Sequence, residues 1–316
     1  MRRIKKSSIA WTVVTIGIFI LLNSLIQFRI LRPAQQISLY GIGINIILAV
    51  SLNMILGLSG QFSLGHAGFM SIGAYSVGVC LTSFDSIWGF GLGILVGVFL
   101  SMIVSLLVAI PTLRLKGDYL AIATLGAAEI IRVVILNLGD LTNGAAGMSS
   151  FSRFTTLPIL YFVIILCIFV IMMLNNSRFG RAWKSIRDDE LTAAAMGVNV
   201  TKYKVISFVL GALFASVAGS LYAGYFTQIR PEMFDFNKSI DILVIVVLGG
   251  MGSVTGSVIA AIVLGLVNIS LQSFTDIRMI LYALILIVMM IVRPGGILGS
   301  FELSFERRRK DGASKA

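Results

Sequence analysis

The sequence predicts an all-α integral membrane protein with about ten transmembrane segments, two of them glycine-broken and related as repeats. Three observations carry this. Hydrophobic residues make up 57 % of the 316 residues and charged residues only 12 %, about half the charge of an ordinary soluble domain. Mean hydropathy is +0.97. Long stretches also lack the polar stripe that a helix on a soluble core would show. A disordered chain, a disulfide scaffold and most soluble enzymes are thereby excluded. The two cysteines, Cys80 and Cys167, fall in apolar runs and read as small packing residues.

A crossing helix needs about 20 mainly apolar residues, each rising 1.5 Å through roughly 30 Å of hydrocarbon. Candidates are 9–28, 37–57, 62–83, 87–112, 119–138, 157–174, 203–227, 240–248, 254–271 and 277–293. Basic residues precede the first, but no small-residue cleavage site follows, so it reads as a retained helix. Segment 240–248 is too short to cross, at about 13.5 Å. With 254–271 it forms either one broken crossing or a segment that enters and reverses. Arg2, Arg3, Lys5 and Lys6 at one end and Arg307, Arg308, Arg309 and Lys310 at the other place both termini in the cytoplasm, and crossings are then even in number. With ten alternating segments, eighteen of the 25 Lys and Arg lie inside, six outside and Arg132 within a span. The net charge of +11 therefore reflects topology, and no nucleic-acid partner is needed. The chain reads as one polytopic domain over 1–316, with short cytoplasmic tails at 1–8 and 294–316 and a cytoplasmic segment at 175–202.

Two stretches share the pattern Leu-Gly-x-x-Gly-x-apolar-Ser/Thr, one from Leu56 to Ser63 and one from Leu248 to Thr255. Each follows an apolar run and opens another span. Glycine lets the backbone leave helical geometry and turn its polar groups to a cavity, and matched breaks in two halves point to a transport pathway. Close helix packing is the alternative for each break taken singly. The pathway candidates are Gly57, Gly60, Gln61, Ser63, Gly65, His66, Gly249, Gly250, Gly252, Ser253 and Thr255. Gln61 and Ser63 are neutral hydrogen-bonding groups suited to a zwitterion. His66, the one histidine, makes no metal site alone and reads first as a satisfied, hydrogen-bonded side chain. Asp118 reads as the N-cap of the fifth span. Glu129 and Arg132 stand three residues apart in that span and are expected to form a buried ion pair facing the protein interior.

The one long polar stretch in mid-chain, 175–201, suits a helix from Asp188 to Met196. Asp188, Asp189 and Glu190 lie at its positive end and Gly197 at its stop. Leu191, Ala194 and Ala195 give it a small apolar face, shaped to enter a groove on another protein. An ordinary charged loop is the alternative.

The run Glu190-x-x-Ala193-Ala194-Ala195-x-Gly197 resembles the coupling motif of ABC importer permeases. The longer run from Gly180 to Asn199 resembles the branched-chain amino acid permease family, M type. So do Leu52 to Gly68, Leu115 to Leu125 and Val247 to Gly256, in the family's order. One departure is Leu141-Thr142-Asn143-Gly144, where the family more often has Thr-Gly-Gly. Asn143 tolerates left-handed backbone nearly as well as glycine. The resemblance implies a permease subunit for branched-chain, hydrophobic amino acids in a bacterial cell membrane. It implies as partners a second permease, two cytoplasmic ATPase subunits and an extracytoplasmic binding protein, with no cofactor. Asp188, Asp189, Glu190, Ala193, Ala194 and Gly197 would couple to the ATPase. Consistent with a non-enzyme, the sequence has no Gly-x-x-x-x-Gly-Lys-Ser/Thr phosphate cradle. A related permease for urea or amides remains open, as does a stand-alone ion-driven secondary transporter.

Overall fold

The computed structural model describes residues 32–270 apart from 116 and 150, with 17, 19–20, 22–24, 26–28 and 287 beside them. Both basic termini lie outside the described residues, as do much of the expected span 9–28 and all but one residue of 277–293. Beyond helical residues among 17–27, the α-helices are α1 (Pro33–Asn53), α2 (His66–Ser83), α3 (Ile87–Thr112), α4 (Asp118–Asn137), α5 (Leu157–Asn175), α6 (Arg178–Asp188), α7 (Glu190–Ala195), α8 (Val200–Phe226), α9 (Phe236–Gly249) and α10 (Val254–Ser270). A π-helical turn, Met54–Leu58, prolongs α1.

Side-chain caps start several of them. Ser86 accepts from the Gly89 N–H at 3.2 Å ahead of α3, Asn199 from Lys202 at 3.0 Å ahead of α8, and Asp235 from Lys238 at 3.1 Å ahead of α9. Each satisfies an N–H that the first helical turn leaves without a partner. Asp118 is no such cap. It is the first residue of α4, and Gly117 holds the cap position at φ 57° without a side-chain bond. Asn143 adopts φ 59°, the left-handed conformation its side chain tolerates.

Helices α2 and α8 form the centre. They cross each other, and α3 packs on both, while α1 packs on α8, α10 and α5. Gly73 and Gly219 let the α2 and α8 backbones meet: a Cβ on Gly73 would run into the Ser216 carbonyl oxygen, and one on Gly219 into that of Met70. Small residues at a crossing allow this approach, a common basis of helix association in lipid.

Two short strands, Met148–Ser149 (β1) and Gln228–Ile229 (β2), pair antiparallel, and Asp85 accepts from the Ser152 N–H at 3.1 Å and hydroxyl at 2.6 Å. The connections at 84–86, 138–156 and 227–235 thus gather at one end. Segments 57–60, 176–199 and 250–253 meet at the other.

Among the described residues, five helices are long and apolar enough to cross a membrane, or up to six if the bent pair ending in α9 and α10 counts as one span. Helix α2 is not one of the five. Its residues from His66 to Gly78 are all buried in protein, so it needs no continuous apolar exterior. The expected span 62–83 begins at His66, because 60–65 is unwound. This backbone is tolerated at depth since its polar groups find partners: Gln61 N–H bonds the Ile55 carbonyl at 3.1 Å, Leu64 N–H the Thr124 hydroxyl at 3.0 Å, and Gly65 N–H the Ser63 hydroxyl at 3.3 Å. The short segment 240–248 is the core of the 14-residue α9, about 21 Å long at 1.5 Å per residue. The chain bends by 120° between it and α10.

Candidate functional site

The two glycine breaks lie against each other. A Cβ on Gly57 would collide with the side-chain oxygen of Asn53 and with the backbone of Gly252. Asn53, buried at the end of α1, joins them chemically. Its Nδ2 donates to the Ser253 carbonyl at 2.8 Å and the Ser257 hydroxyl at 2.9 Å, and its Oδ1 accepts from Gly252 N–H at 2.8 Å. Gly60, Gly250 and Gly252 have φ of 71°, 105° and 94°, a region that side chains rarely adopt. Gly249 presses on the backbone of Gly256, closing the bend between α9 and α10.

The polar pathway candidates are engaged within the chain. Gln61 donates to Ser59 and Ser207 hydroxyls, each at 2.7 Å, and to the Lys204 carbonyl at 3.2 Å. His66 Nε2 lies 2.7 Å from the Ser51 hydroxyl, the satisfied histidine expected. Ser253 caps α10, accepting from Gly256 N–H at 3.0 Å, with Thr255 at 3.2 Å. Ser253, with Asn53, Gly57 and Gly252, forms a joint between the two broken helices, whereas Gln61 turns to α8 and His66 to α1.

The polar segment folds as two helices rather than one. Helix α6, absent from the sequence reading, packs Trp183 and Ile186 inward, with the Trp183 indole donating to the Tyr203 carbonyl at 2.9 Å. Phe179, Trp183 and Ile186 at helical spacing were its signal. Asp188 ends α6, so the expected helix from Asp188 is shorter: α7 starts at Glu190, because Asp189 is extended at φ −157° and caps it. Asp189 accepts from the Leu191 and Thr192 N–H groups at 2.9 and 3.1 Å and from the Thr192 hydroxyl at 2.7 Å. The Thr192 hydroxyl, then the two N–H groups, hold its carboxyl below the usual aspartate range. The cap bonds are thus intact at neutral pH and lost only as pH falls through that lowered value.

At the other end Val198 N–H bonds the Ala193 carbonyl at 3.1 Å and Gly197 N–H the Ala194 carbonyl at 3.0 Å. With Gly197 at φ 83°, this is a Schellman stop. Glu190 does not aim outward with Ala194. Its carboxylate takes Lys204 of α8 at 2.8 Å, while Ala193 is buried beneath the helix. Leu191 and Met196 are 76 % and 81 % exposed, and Ala194 and Ala195 are exposed with them. A shallow cleft between α6 and α7 is lined by Ser185, Asp188, Thr192, Ala193, Met196 and Val198.

Arg187, a residue the sequence does not single out, bridges the two regions. From the last turn of α6 its Nη1 donates to the Gly57 carbonyl at 3.0 Å.

The Glu129–Arg132 pair forms, with Arg132 Nε 2.9 and 3.0 Å from the two carboxylate oxygens. It is not buried in this chain. The Arg132 and Glu129 side chains are 25 % and 47 % exposed. Helix α4 packs through Leu120, Thr124, Ala128, Ile131 and Ile135, and the pair projects beside that stripe.

The profile of a family described as "Branched-chain amino acid transport system / permease component" matches residues 35–292. The high-affinity branched-chain amino acid transport system permease protein LivM of Salmonella typhimurium is 35 % identical over 226 residues, 61 % of this chain and 53 % of its own length. The LivM protein of Escherichia coli K12 gives the same figures. The permease protein LivH of Salmonella typhimurium is 27 % identical over 204 residues, 64 % of this chain and 65 % of its own. The chain spans about half the length of the LivM proteins it matches. No solved structure matches it.

Proposed function

Since the chain belongs to the branched-chain amino acid transport permease family, we propose that it is one permease subunit of an ABC importer. With a second permease it forms the pathway for branched-chain amino acids, driven by two cytoplasmic ATPase subunits and supplied by an extracytoplasmic binding protein. The observation that carries this reading is α7. A six-residue helix capped at both ends, anchored by Glu190 and Ala193, holds Leu191, Ala194 and Met196 out to solvent. An apolar ridge this exposed, on a rigid mount, suits docking into a groove on another protein. The joint between the glycine breaks is then the moving part: it gates the pathway by changing the angle of α9 and α10 to α1.

Ala194→Lys places a charge in that ridge. Gly197→Leu forces a side chain into left-handed backbone, a strain of about 1 kcal/mol or more, although open space surrounds it. Both variants are expected to stay in the membrane and to lose ATPase assembly, or the stimulation of ATP hydrolysis by loaded binding protein. A purified complex with both substitutions and normal stimulation overturns the docking role.

The ten-segment topology belongs to the same proposal, with both termini cytoplasmic. It is supported by the separation of 84–86, 138–156 and 227–235 from α6 and α7. Single cysteines at Ser86, Asn143 and Glu232 are expected to react with an impermeant maleimide added outside, and one at Lys184 to be protected. Outside labelling at Lys184 contradicts the arrangement.

A further inference from the structure

Arg187 touches both glycine breaks, at Gly57 and Gly60 in the first and at Gly252 in the second. Its Nη1 donates to the Gly57 carbonyl at 3.0 Å. That carbonyl lies in the last turn of the helix begun by α1, where backbone acceptors lack intrahelical partners and the dipole is negative. A guanidinium there makes a charge-assisted bond. The stem of Arg187 runs along Gly60, where an added Cβ would stand 3.2–3.4 Å from its Cγ, Cα and Cβ. On its far side Nη1 lies 3.1 Å from the Cβ position of Gly252. Asp188 Oδ1 holds the rest of the fork, at 3.2 Å from Nε and 3.0 Å from Nη2, so the group is aimed by its own helix. The absence of side chains at Gly60 and Gly252 makes the passage through which it reaches the joint.

The geometry points to Arg187 as the positioning residue that transmits movement of α6 and α7 to the joint between the two glycine breaks. This rests on α7 being the ATPase-docking helix. Movement of the α6–α7 unit pulls Gly57 through the guanidinium. Gly57 carries Asn53 with it on the same helix, and the bonds from Asn53 to Gly252, Ser253 and Ser257 pass the displacement to α10. Arg187 meets the joint at the backbone carbonyl of Gly57. Its effect is on coupling, and so on the substrate moved per ATP spent.

The test uses the assembled importer in proteoliposomes, with leucine-loaded binding protein, radiolabelled leucine uptake and phosphate release measured together. Arg187→Gln is expected to assemble in wild-type amount, keep its basal ATPase rate, and move at least fivefold less leucine per ATP hydrolysed. Arg187→Lys is expected to recover part of the ratio, because an ammonium can still donate to the Gly57 carbonyl but lacks the fork that Asp188 orients. Wild-type uptake per ATP in Arg187→Gln overturns the proposal. So does loss of assembly in both variants, which makes Arg187 a purely structural residue. A wild-type chain that holds no ATPase is a separate result, seen before any variant is compared. It overturns the importer reading, and the link to the joint with it.

Discussion

Gly219→Leu is expected to leave almost no folded protein in the membrane. A Cβ at Gly219 meets the Met70 carbonyl oxygen, and across the same crossing Gly73 faces the Ser216 carbonyl. Both obstacles are backbone, so no rotamer change relieves them. Helix α3 joins at the same level: a Cβ on Gly97 would stand 3.1 Å from the Gly73 Cα, and the Ser101 hydroxyl donates to the Ala212 carbonyl at 3.0 Å. Leucine at 219 must push α8 off α2, and that separation also breaks the Ser220 hydroxyl bond to the Gly73 carbonyl, 3.2 Å long. Overpacking of this kind costs about 3 kcal/mol or more where the backbone cannot yield, a large share of the stability of a typical domain. Fluorescence size-exclusion and a thermal melt in detergent measure it. Gly126→Leu serves as control, because nothing lies within 4 Å of a Cβ there. Equal yield and melting temperature for the two variants refutes the account of the crossing.

The second large effect is expected at the joint. Gly57→Ala drives a methyl into Asn53 and the Gly252 backbone, parting the two breaks. Asn53→Ala removes the three bonds without adding bulk. It leaves the half-buried Gly252 N–H without its acceptor, a loss of about 1 kcal/mol. Both variants are expected to insert and assemble, since neither residue takes part in the α2–α8 crossing at Gly73 and Gly219. In the proposed importer, leucine uptake is expected to fall at least tenfold in Gly57→Ala and by less in Asn53→Ala, because a steric wedge cannot relax as a missing hydrogen bond can. Uptake assays normalised to complex in the membrane decide it. A Gly57→Ala importer with wild-type uptake shows that the breaks need not touch.

Much of the fold was legible in the chain. Spans expected at 87–112, 119–138 and 157–174 match α3 (Ile87–Thr112), α4 (Asp118–Asn137) and α5 (Leu157–Asn175). Where a helix forms and where it stops depend on contiguous residues: apolar length, a cap such as Ser86, a left-handed stop such as Gly197. The same local logic marked 175–202 as the polar segment and found two glycine breaks. It placed the start of α2 four residues early, because Phe62 and Leu64 continue the apolar run while the backbone of 60–65 is held unwound by partners from α4 and from Ile55.

The sequence by itself determined that this is a helical membrane chain with two glycine breaks and one polar segment carrying a capped helix. Only the tertiary structure decided that the breaks touch, that Arg187 reaches both, that Glu190 faces Lys204, and that Glu129 and Arg132 stand half exposed beside the packed stripe of α4. Hydropathy and capping are summed over neighbours along the chain. The Asn53 bond to Gly252 joins residues 199 positions apart, and Arg187 meets Gly57 across 130. Contacts of that separation are fixed by how the helices pack, and by which glycines let their backbones come close enough to meet.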